Sequence, residues 1–239
     1  MITALIALLA EAARSESAPS MRAVNDNQTT LVEVNEEESM LGSLSVNEWL
    51  NFYLQYFPTK TEARDFIEAC EQQVPPNNTA KILMHQAQRL ISLSDDILKI
   101  RPHTDSLRLL FLLMCAENIA KLHDGFTGEG HSRNYVRKFF KDFLSDNDKQ
   151  GLGAGFRDNS ASAHLLPTLG LDRAVDMLYE IRCDVVHEGE FWSFAFHDGT
   201  MSMVNTDPDV IADITFDSLR DIVVRGSINA TRSKLTASK

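Results

Sequence analysis

The chain has 239 residues, 44% hydrophobic and 24% charged, which suffices for one good core and is too balanced for a chain disordered throughout. A formal net charge of −11 argues against coating nucleic acid by bulk electrostatics, since such binders concentrate Lys and Arg to displace counterions; an RNA would have to be engaged through a local patch. The three cysteines, Cys70, Cys115 and Cys183, are odd in number and set in apolar helical patterns, which reads as reduced thiols in a cytoplasmic protein and offers no metal spacing.

Met1 to Ala13 is apolar, but no Lys or Arg precedes it as a secretory leader requires, so export is not expected, and Met21 is an alternative start. Residues 1–42 read as a mobile tail that includes the acidic run Glu36-Glu37-Glu38. Residues 43–76 read as an N-terminal helical appendage. Ser45 to Glu48 has capping-box spacing ahead of the aromatic run Trp49 to Phe57, and a short helix over Thr61 to Gln73 is closed by Pro75-Pro76. The main helical domain, 77–235, begins with a long helix over Thr79 to Ile100 stopped by Pro102. A central buried helix over Asp105 to His123 and a third over Ser132 to Leu144 follow. Gly151-Leu152-Gly153-Ala154-Gly155 reads as a flexible link. A helix from Leu171 to His187 comes next, then a hairpin in which Phe191 to Phe196 and Met201 to Val204 flank His197 to Thr200, and a last helix from Phe216 to about Ala230. The expected class is all-α, an antiparallel bundle of four or five core helices with a small β-hairpin. No stretch approaches the roughly 20 apolar residues that span a bilayer, so no membrane partner is expected.

The helix over Leu171 to His187 carries one charge on its apolar face. Leu178, Tyr179, Val185 and Val186 occupy the positions three and four residues either side of Arg182, so no carboxylate of its own helix reaches it and its partner must come from elsewhere. Five residues on, His187 stands where Gly189 signals the helix end, at the negative pole of the helix dipole. Glu117 is a second misplaced charge, on the apolar central helix. It either orients Arg182 by a charge-assisted hydrogen bond or pairs with Lys121 at i+4.

Arg182-x4-His187, followed by Glu188-Gly189 and the aromatic run Phe191 to Phe196, resembles the HEPN superfamily, especially members of antiphage and toxin systems. That family's signature is Arg-x(4 to 6)-His at the end of a late helix in an all-α bundle. The resemblance implies a HEPN-like bundle and a metal-independent endoribonuclease, often a homodimer with the two motifs facing each other, and an antitoxin or other regulatory partner. Catalytic roles fall on Arg182, His187 and Glu117, with no cofactor. Cys183 departs from the polar residue that commonly follows the Arg, and with the acidic net charge it keeps open a catalytically silent module that binds RNA, nucleotide or protein.

On an ideal helix, side chains five apart diverge by about 140° and about 7.5 Å along the axis. Arg182 and His187 therefore converge only through the long Arg side chain, a loosened last turn or a second subunit; the bland alternative is a core ion pair plus a terminal His capping carbonyls. Arg133, Arg137 and Lys141 at i, i+4, i+8, with Lys138 beside them, form a stripe that either tracks a phosphate backbone or is a solvated face. Asp184 and Trp192 complete the expected RNA-binding set. Trp192, Phe194 and Phe196 either stack bases or cover the end of the bundle. Arg225, Arg232, Lys234 and Lys239 form a weaker basic patch, and the histidines show no paired metal-ligand spacing.

Overall fold

Capping and breaker residues set the helix boundaries. In a computed structural model, residues 49–160, 167–192, 194–198, 203–204 and 209–237 are described; the tail, the Ser45 to Glu48 capping box and the hairpin tip at Gly199-Thr200 lie outside them. Residues 49–53 are helical and tighten into a 3-10 turn at Leu54–Tyr56. Helix α1 spans Lys60–Glu71, and the Thr59 hydroxyl caps it by accepting from the Glu62 amide. Helix α2, Thr79–Ile100, has its first amides bound by the Gln73 side chain, 3.0 Å from the Ala80 nitrogen. Helix α3, Asp105–Asp124, ends at Gly125, whose φ of 68° is the left-handed cap that glycine adopts without a Cβ penalty. Helices α4, Ser132–Asp142, and α5, Asp146–Ala154, follow. Helix α6, Leu171–Cys183, continues into a single π turn at Asp184–Glu188, and α7 covers Phe216–Ala237.

The molecule is mostly helical, as its composition and periodicity led us to expect. Helix α3 is the central element. Leu109, Leu112, Leu113, Cys115, Ala116, Ile119 and Ala120 are all inaccessible to solvent, because α2, α4, α6 and α7 surround it. An all-round apolar helix finds its energy minimum only where every side is covered.

Four features differ from expectation. The segment read as an appendage shares the core of the rest. Tyr53 is 1% exposed and donates to the Met84 carbonyl at 2.7 Å, and Tyr56 donates to Asp221 on α7 at 2.6 Å. The segment read as a flexible link lies in α5 and the turn that ends it. Ser145 accepts from the Asp148 amide at 3.2 Å and starts that helix, while Gly153 faces the backbone of Gly170, where an added Cβ would sit 3.1 Å from the carbonyl carbon. Glycine here permits close approach of two backbones rather than flexibility. Gly153→Ala should therefore cost roughly 1–3 kcal/mol through overpacking, read as a fall in the midpoint of denaturant unfolding; an unchanged midpoint would mean that the α6 start can shift aside freely.

The last helix is longer than expected, running to Ala237. The expected hairpin is present as β2, Phe194–Ala195, antiparallel to β3, Met203–Val204. A second pair was not foreseen: β1, Phe156–Asp158, pairs with β4, Val210–Ala212, with Phe156 opposite Ala212. Three-residue strands so far apart in sequence leave no local period to read.

Candidate functional site

Arg182 enters the core side of α6 beside the fully or nearly fully buried Ala174, Val175, Leu178 and Ile181. Its side chain is 17% exposed, and it donates from Nη2 to Glu117 Oε2 at 3.3 Å. Its Nε is buried without a hydrogen-bond partner. The guanidinium carbon lies 5.4 Å from the centre of the Tyr179 ring, one turn back, and the Arg133 guanidinium lies 5.1 Å from that same ring. Burial pushes the Tyr179 hydroxyl above its ordinary range, against the opposing pull of Arg182.

Glu117 resolves its two expected partners by taking both. It is 7% exposed; Oε1 accepts from Lys121 Nζ at 2.7 Å and from the Ser132 hydroxyl at 2.6 Å, while Oε2 faces Arg182. Each carboxylate oxygen has two lone-pair sites, so one residue can serve two cations and a hydroxyl at once. Ser132 was not foreseen. At the first position of α4 it resembles an ordinary helix-start residue, yet its hydroxyl crosses to α3, and the preceding His131 makes no side-chain cap.

His187 is exposed and sits in the π turn that Gly189 ends with φ 70°. The loosened last turn is thus present. A π turn joins residues five apart, so over the part of the Arg182 to His187 span that it covers, it narrows the angular divergence of a regular helix. No hydrogen bond or ion pair links the two side chains. Asp184 is half-buried, and its carbonyl accepts from the Gly189 amide and from Glu190 at 3.3 Å. Trp192 is 67% exposed just beyond the turn. Phe194 and Phe196 are 2% and 5% exposed and stack edge to face, with Phe196 against Phe216; they cover the end of the bundle and have no face free for a base.

The basic stripe of α4 meets the acidic face of α6. Arg137 makes a two-pronged contact with Asp176 at 2.6 Å from both Nε and Nη2, and Arg133 reaches Glu180 at 3.3 Å. The pairing follows from the antiparallel packing of the two helices, and the Arg137 fork holds the Asp176 carboxyl below the usual range. Lys138 lies between Asp124 and Asp142 at 3.4 and 3.3 Å, and Lys141 is exposed without an ion pair among the described residues. The stripe is therefore neither a bare phosphate track nor a merely solvated face. Its arginines pair across two helices with carboxylates 47 and 39 residues away in sequence, at the surface. Arg225, part of the other expected patch, is likewise held by Asp148 at 2.6 Å.

Among the described residues no three His, Cys, Asp or Glu side chains gather so as to hold a metal ion, and no helix is long and apolar enough to cross a membrane. No family model, curated protein or solved structure matches the chain.

Proposed function

We propose that the chain is a HEPN-type endoribonuclease that cleaves RNA without a metal, in a toxin or phage-defence setting. The observation that carries this reading is the pairing of a nearly buried Arg182, anchored by Glu117, with an exposed His187 on a loosened turn of the same helix. In such a reaction the ribose 2′-oxygen attacks the adjacent phosphorus and the 5′-oxygen leaves, giving a 2′,3′-cyclic phosphate and a 5′-hydroxyl. His187 moves the proton as general base or acid, for which exposure is needed. Arg182 stabilises charge on the phosphoryl oxygens with the rest of its fork, while Glu117 positions it. A homodimer that brings two α6 helices together would supply a second His187 for the other proton, and a regulatory partner would restrain the activity.

Both chemical roles fall to side chains, so cleavage of labelled mixed RNA should persist in EDTA and leave 2′,3′-cyclic phosphate ends. Activity lost on chelation and restored by Mg²⁺ would overturn the mechanism. Specific RNA binding without any cleavage would instead favour the silent module to which Cys183 points.

A further inference from the structure

The loop between α3 and α4 and the first turn of α4 carry aromatic side chains that the cleavage reading leaves unused. Phe126 and Tyr135 pack at 5.1 Å between ring centres, and the His131 ring stands edge-on to Phe126 at 6.0 Å. They line a hollow of about 370 Å³ together with Asn134, Lys138 and Asp124. Both aromatics are half-buried, and Tyr135 packs against the edge of the principal core. Phe126 folds over Gly128, where a Cβ would meet its Cζ at 2.8 Å.

His131 has φ 58°, a left-handed conformation uncommon for a residue with a Cβ, at the helix position where a side chain would ordinarily cap. It makes no cap, and its exposed imidazole stays on the rim of the hollow. Backbone strain kept at a position that gains no capping bond points to use of the side chain elsewhere.

The hollow is linked to Arg182 through Lys121 and Glu117. Lys121 Nζ lies 5.8 and 5.9 Å from the Phe126 and Tyr135 ring centres and bonds the same Glu117 that holds Arg182. We infer that the surface formed by Phe126, His131 and Tyr135 is a stacking seat for one unpaired base of single-stranded RNA, coupled to Arg182 through Lys121 and Glu117. The inference rests on the RNA reading above. Aromatic faces with interleaved cations take the π-face of any base, whereas a paired base in a duplex offers only its edge. With a net charge of −11, the chain has to engage RNA through a local contact of this kind. The ion pairs that occupy the α4 stripe leave recognition to such a local contact.

The test uses the full chain carrying His187→Ala, whose exposed site spares the fold while RNA stays intact. Anisotropy titrations compare a labelled single-stranded octamer with its abasic ribose-phosphate counterpart at one salt concentration. Phe126→Leu and Tyr135→Leu keep apolar volume and remove the aromatic faces. Each should weaken binding of the base-bearing octamer roughly 5- to 100-fold and leave the abasic one unchanged. Equal affinity for the two octamers, unchanged affinity in both leucine variants, or binding of the duplex alone would overturn the seat. Cleavage by the unsubstituted chain alongside unchanged affinities sinks the seat and spares the nuclease; base-dependent binding with no cleavage does the reverse.

Discussion

Glu117→Ala is expected to destabilise the protein by about 3 kcal/mol, a fall in melting temperature on the order of 10 °C. The carboxylate is 7% exposed and satisfies Arg182, Lys121 and Ser132, so its removal strands two cations and a hydroxyl together. The figure is at the low end for buried pairs because Arg182 and Lys121 each keep 17% of their side-chain exposure and some hydration. The effect should be asymmetric. Arg182→Ala or Lys121→Ala leaves Glu117 with two of its three partners and should cost about 1 kcal/mol each. Thermal melts of the three variants decide the matter; three small and equal shifts would show that the cluster is hydrated at the surface.

Under the proposed mechanism, His187→Ala should reduce RNA cleavage by roughly 10²–10⁴-fold, the usual contribution of a positioned proton-transfer group. Its stability should match that of the wild type within about 0.5 kcal/mol, because the side chain is exposed and makes no hydrogen bond or ion pair among the described residues. This contrast with Glu117 separates a chemical role from a structural one. Undiminished cleavage by His187→Ala would remove the residue from the reaction, and a loss of activity that tracked a loss of fold would make it structural.

Arg182 and Glu117 were each legible as misplaced charges, because a 3.6-residue period assigns every side chain to a face and an ionised group on an apolar face must be compensated. The periodicity does not say by whom. Whether Glu117 took Lys121 on its own helix or Arg182 65 residues away was open in one dimension, and in three it does both, since the packing of α6 on α3 brings the guanidinium to the second oxygen. Ser132 joined them unannounced: a hydroxyl at a helix start satisfies local amides or a distant carboxylate equally well by composition.

The long helices were readable because their stops are local. Pro102, Gly125 and Gly189 act through their own backbone restrictions, and the apolar run of α3 demands cover on every side whatever supplies it. Gly151 to Gly155 misled for the complementary reason. Glycine is the residue of flexible links and also of tight contacts, and only the approach of Gly170 shows which applies at Gly153. The α4 stripe has the same lesson in charge: Arg133 and Arg137 are free cations by sequence, and Glu180 and Asp176 neutralise them only once α6 has folded antiparallel alongside. Local rules of period, capping and breaking act over a few residues and so can be read from the chain. Pairing, register and close approach depend on which surfaces meet, and that was decided by how the helices pack around α3.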